Sequence, residues 1–141
     1  MLHYIDDVNA ADQAVKICRI NVNTSARNIR EMALNNDTSA YDSYEQNVKK
    51  LLTEVDSQLE ILKITKVLPD EEYNEYASAL SDWGNIGYSI IEEIKNGEKE
   101  KAIDEIFNSC TPALNKLVEI AIRLDEITDE VSEQSARTTI I

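Results

Sequence analysis

The sequence predicts an all-α fold, an up-down-up-down antiparallel four-helix bundle with long first and last helices, and three observations carry that prediction. Only three Gly and two Pro occur in 141 residues, too few for the many tight turns of a strand-rich domain. Apolar residues recur at alternating spacings of three and four in successive long runs, which lays one stripe along each helix. Between the runs lie clusters of turn and cap residues where the chain can reverse.

The first stripe, Tyr4, Val8, Ala11, Val15, Cys18, Val22, Ser25, Ile29 and Met32, keeps one register, so the first helix is expected at about 4–36. Asn35-Asn36-Asp37-Thr38-Ser39 combines turn and N-cap residues and allows a restart. The second helix then reads Tyr41, Tyr44, Val48, Leu51, Val55, Leu59 and Leu62, over about 39–67. Leu68-Pro69-Asp70-Glu71-Glu72 closes it and opens the third, because Pro suits a first turn and the acids complement the positive end of the helix dipole. The third stripe, Tyr73, Tyr76, Leu80, Trp83, Gly87, Ile90 and Ile94, gives a helix at about 70–96 with Asn96-Gly97 as its stop. Its aromatic members read as core knobs, and Gly84 and Gly87 as places for a neighbouring helix to come close.

The last run, Ile103, Phe107, Cys110, Leu114, Leu117, Ala121, Leu124, Thr128 and Val131, predicts a helix at about 98–137. Pro112 lacks an amide hydrogen and disfavours helical geometry at Thr111, so a kink or short loop is expected near 108–111, with the stripe holding its frame across it. These spans make the outer helices about 33 and 40 residues long and the inner ones about 29 and 27, at ~1.5 Å per residue. In this topology the two outer helices project together from one end of the bundle. That geometry suits a domain inserted between two membrane spans.

A net charge of −13, from 27 acidic and 14 basic side chains, argues against nucleic acid and against an anionic lipid surface as partners. His3 is the single histidine, so Ser/His/Asp and Cys/His catalytic sets and the Glu-x-x-His pairs of di-iron bundles have no basis. Three glycines provide no phosphate-cradling loop, and no metal-ligand spacing is present. An enzyme is therefore not expected, nor a metal or cofactor. Cys18 and Cys110 form no CxxC motif and are expected as free, buried thiols, although spacing alone leaves their pairing open. No segment reaches the ~20 apolar residues of a membrane span, and no signal peptide is visible. The tail Arg137-Thr138-Thr139-Ile140-Ile141 stops where a charge-free apolar run begins, as in a domain cut at a membrane-entering helix or in an ordinary frayed end.

Charge is distributed unevenly. Between Asp12 and Glu31 the first helix has no acid, yet it holds Lys16, Arg19, Arg27 and Arg30. At ~100° per residue Arg30 lies about 20° round from Arg19 and Asn23 about 40°, with Lys16 and Arg27 further to the same side. This basic face adjoins the core stripe, and Ile17, Ile20 and Thr24 lie beyond it, which calls for a second partner. A second copy packed about a two-fold axis meets that need, with arginines at the seam offering paired donors to a carboxylate. Alternatively, the arginines pair with the chain's surplus Asp and Glu.

The segment Cys18-Arg19-Ile20-Asn21-Val22-Asn23-Thr24-Ser25-Ala26 resembles the ligand-site segment of the enteric aspartate and serine chemoreceptors. The layout, the Asn96–Ala102 link into the last helix and the Thr111-Pro112 step resemble the four-helix-bundle sensor domain of methyl-accepting chemotaxis proteins. The resemblance implies an extracytoplasmic domain of a membrane-anchored receptor, dimeric with itself, that binds a small molecule such as an amino acid or organic acid at the subunit interface. A small shift of the last helix would then carry the signal. The family's first ligand arginine falls on Arg19. Its other two fall on Thr24 and Asn28, which are not basic, and Arg27 and Arg30 stand nearby. The family's helix 4 threonine is matched by Thr111. The implied ligand set is thus Arg19, Asn23, Thr24, Arg27, Arg30 and Thr111. Three other readings remain: the ectodomain of a sensor kinase, a sensor of this fold that docks a ligand-loaded binding protein, and a cytosolic helical adaptor.

Overall fold

The computed structural model describes residues 2–140, with side chains described for 6–131, 133 and 134. The side chains of His3, Tyr4 and the 137–141 tail lie outside the described residues. Helices α1 (Leu2–Leu34), α2 (Tyr41–Thr65) and α3 (Asp70–Lys95) are followed by a last arm. That arm is made of α4 (Lys99–Glu105), a π-helical turn (Ile106–Cys110) and α5 (Thr111–Ile140). The described residues are all-helical, arranged as an up-down four-helix bundle.

The connections follow from local chemistry. Past the end of α1, Asp37 Oδ1 accepts from the Ser39 amide (3.0 Å) and hydroxyl (2.6 Å), capping a 3₁₀ turn over Thr38–Ala40 that leads into α2. Lys66 closes α2 in the left-handed region at φ 53°. Pro69 precedes α3, whose first turn carries Asp70, Glu71 and Glu72. At the far end of α3, Gly97 adopts φ +82°. Its amide bonds Ile94 O at 3.2 Å and the Glu98 amide bonds Glu93 O at 2.8 Å, the two bonds of a Schellman stop.

The core runs along the whole bundle, through Val15, Cys18, Val22, Ile29 and Met32 of α1, Val48, Val55 and Leu62 of α2, Tyr76, Trp83 and Ile90 of α3, and Leu117 and Leu124 of α5. α1 packs against α2 and α5, and α3 touches every other arm. Gly87 is where α3 comes close to α1: a Cβ there would sit 3.2 Å from Ile29 Cδ1. Gly84 has only an ordinary contact, with Leu52 at 4.0 Å. α1 has 33 residues and α5 has 30, against 25 and 26 for α2 and α3. Asp12 meets Thr128 and Arg19 meets Asp125, so the start of α1 lies beside the end of α5. Both cysteines are buried and unpaired, and Cys18 donates to Val55 O at 3.8 Å.

The last arm departs from expectation. No loop forms near 108–111; the chain stays helical, and the interruption takes the form of a π turn over Ile106–Cys110, just before Pro112. Pro112 cannot donate to the carbonyl four residues back, and widening the turn by one residue relieves the crowding of its ring. The Thr111 amide and its Oγ1 (2.8 Å) both donate to Ile106 O. The extra residue also breaks the frame of the stripe, by about 100° of rotation. Ala102 and Ile106 are the buried positions, Ile103 packs partly buried against the core, and Phe107 is turned outward, 69% exposed.

Candidate functional site

The arginines of α1 fall into two settings. Arg19 is half-buried, and its Nη1 donates to Asp125 Oδ2 of α5 at 3.2 Å. Around this pair, Thr128 Oγ1 lies 3.2 Å from Asp12 Oδ1, and Lys16 Nζ donates to Asp12 Oδ2 at 2.7 Å. Together they form a polar seam between α1 and α5. Burial pushes the Asp125 carboxyl above the ordinary carboxylate range, and Asp12 adds to that, against the opposing pull of Arg19 and Lys16. Asp125 Oδ1 is buried without a hydrogen-bond partner. Arg19 and Asn23 border a crevice lined also by Tyr76, Leu114 and Val118, but its volume is about 10 Å³, no more than one water needs.

Arg30, about three turns further along α1, is exposed and makes no ion pair among the described residues. It opens onto a groove of about 350 Å³ between the end of α1 and the last arm. Ala33 and Leu34 form one wall; Ile103, Ile106 and Phe107 form the other, with Thr111 beside them. Leu34 is 73% exposed, so both rims offer apolar surface to solvent. Lys99 bonds Asn35 O at 3.4 Å and Asn36 Oδ1 at 3.0 Å, which ties α4 to the end of α1 beside the groove. Beside Cys110 of the last arm lies Trp83 of α3, fully buried. The Cys110 thiol next to it is pushed up by burial, against the opposing influence of the Trp83 indole and of Arg30.

The residues expected to act together are therefore divided. Arg30 and Thr111 share the groove; Arg19 and Asn23 share the narrow crevice. Thr24 belongs to neither and its hydroxyl bonds back to Ile20 O at 2.9 Å. Arg27 is exposed, also without an ion pair among the described residues. Beside Pro112, the Ile106 carbonyl accepts from both the Thr111 amide and its hydroxyl.

Sequence reasoning passed over Asp125, since nothing local distinguishes it among 27 acids. It also passed over Glu93, a buried α3 carboxyl raised by burial and then by Glu105 of α4, while Lys101 and Ser89 pull the other way. A second groove, about 210 Å³ between α2 and α3, is lined by Asp56, Leu59, Ser81, Asn85 and Tyr88 among others and contains none of the expected residues. Among the described residues no group of His, Cys, Asp or Glu could hold a metal ion, and no helix is long and apolar enough to cross a membrane.

The first and last arms of this helical bundle thus share both a polar seam and an open groove. The chain belongs to the family described as the four helix bundle sensory module for signal transduction, whose sequence model matches residues 4–139. It is thus a sensory module of signal transduction proteins. No curated protein and no solved structure matches the chain.

Proposed function

We propose that this module is the extracytoplasmic ligand-binding domain of a membrane-anchored chemoreceptor, working as a homodimer and without catalytic activity of its own. The observation that carries the reading is the pairing of Arg30 and Thr111 across one open groove, between the first helix and the arm that ends in α5. The ligand is a small amino acid or organic acid, and Arg30 supplies a planar pair of donors for its carboxylate. Ile20, 62% exposed on α1, gives the second copy an apolar contact. A ligand that bridges α1 and the last arm shifts their relative position by as much as its affinity differs between two arrangements. The α1–α5 seam, where Arg19 meets Asp125, sets the resting register. The strongly acidic surface leaves nucleic acid without a role.

A thermal-shift screen against amino acids and small organic acids, repeated on Arg30→Ala and Arg19→Ala, tests this. A ligand that raises the melting temperature of the wild type and of Arg19→Ala, but not of Arg30→Ala, is the expected result, because binding to the native state stabilises it by RT ln(1 + [L]/Kd). A screen with no stabilising compound would count against direct sensing.

A further inference from the structure

We infer that the groove selects a monocarboxylate with an apolar body, seated on Phe107 and Leu34 with its carboxylate on Arg30; this rests on the ligand-sensing reading above and narrows it to one chemical class. The lining carries one cation and no acid. Arg30 has no internal carboxylate to satisfy it, unlike Arg19 with Asp125. Its guanidinium accommodates both oxygens of a carboxylate at once.

The remaining wall excludes two neighbouring classes. An amino acid would bring an ammonium with three hydrogens to a surface whose one uncharged polar side chain is Thr111. A dicarboxylate would set its second charge against Ile103, Ile106 or Phe107, where it finds no donor. An aliphatic or aromatic tail meets neither cost and covers apolar area that is otherwise wet.

The π turn supplies independent support. Such turns are rare and frequently lie at functional sites, and this one is what turns Phe107 out of the core stripe to 69% exposure. A regular helix through 106–110 would return Phe107 to the core side and remove the far wall of the groove. Charge complementarity at Arg30 and an apolar wall at Phe107 thus sit on opposite sides of one cavity of about 350 Å³, within the size range of small-molecule sites.

The test is isothermal titration calorimetry of the 141-residue chain with acetate, butanoate and hexanoate, and with hexan-1-ol and 6-aminohexanoate as controls. Affinity is expected to rise about fourfold for each added methylene. Hexanol and 6-aminohexanoate are expected to bind at least tenfold more weakly than hexanoate, since a charged hydrogen-bonded pair is lost or an ammonium is stranded. Arg30→Gln should remove the preference for hexanoate over hexanol, and Phe107→Ser should flatten the chain-length dependence; both residues are exposed, so both variants should melt like the wild type.

Hexanoate binding no tighter than acetate, or equally tight to Arg30→Gln, overturns the inference. If an amino acid or dicarboxylate binds through Arg30 or Arg19 and hexanoate does not, ligand sensing stands and the monocarboxylate class falls. If nothing in either set binds, both fall. A chain that Phe107→Ser converts from dimer to monomer, with hexanoate inert, would instead make the groove a contact between copies.

Discussion

Arg19 and Arg30 lie on nearly the same line of α1, yet the fold treats them in opposite ways. Around Arg19 the bundle is closed: the guanidinium is bonded to Asp125, the flanking crevice is about 10 Å³, and Thr128, Asp12 and Lys16 complete a seam with α5. Around Arg30 it is open, because the π turn holds the last arm's Phe107 outward and a groove of about 350 Å³ remains. The difference teaches that a basic face on one helix is not one site. Its positions take their roles from what the facing arm presents, a carboxylate at one level and an apolar wall at the other.

Five substitutions test that contrast. The largest effect belongs to Trp83→Ala. Trp83 is fully buried in the bundle core, and its removal should destabilise by about 3–5 kcal/mol. Urea unfolding measures the loss, and a cost under about 1 kcal/mol would mean the core around Trp83 is loosely packed. Next comes Arg19→Ala, which leaves Asp125 part-buried without its cation and should cost about 1 kcal/mol, moderated by the partial exposure of the pair. Adding Asp125→Asn should recover part of that cost, and a double-mutant cycle reads the coupling.

A smaller effect, of opposite sign at neutral pH, is expected from Glu93→Gln. The Glu93 carboxyl is pushed above its ordinary value by burial and by Glu105, so its contribution to stability is complete at acid pH and is lost as pH rises through the raised value. The glutamine variant should therefore melt above the wild type at pH 7.5, with the gap closing towards pH 4. A gap that widens on acidification would contradict this. The smallest effect is that of Arg30→Ala, within about 0.5 kcal/mol of wild type, because no internal partner is lost. Its stability cost should be clearly below that of Arg19→Ala.

The bundle was legible because each helix carries its own periodic stripe, and turn chemistry at Asp37, Pro69 and Gly97 marks the reversals locally. Pro112 likewise announced an interruption. Its form was not legible, because a kink, a loop and a π turn all accommodate a missing amide, and the choice depends on what packs against the arm. That one residue of slip is why Phe107 was assigned to the core and stands in solvent instead. At the site, the type and spacing of Arg19, Arg30 and Thr111 were visible, but which acid faces which arginine was not. Arg19 and Asp125 are 106 positions apart, and their meeting depends on the register between the first and last helices. The same register brings Thr111 alongside Arg30.

Arg30 stands available to a ligand, whereas Arg19 is held by the fold. Side-chain NMR of the guanidinium groups during a titration with hexanoate reads both residues in one sample. The Arg30 signals are expected to move and saturate while those of Arg19 stay in place. Movement of Arg19 with Arg30 unchanged would contradict this and would place the anion in the seam, in competition with Asp125.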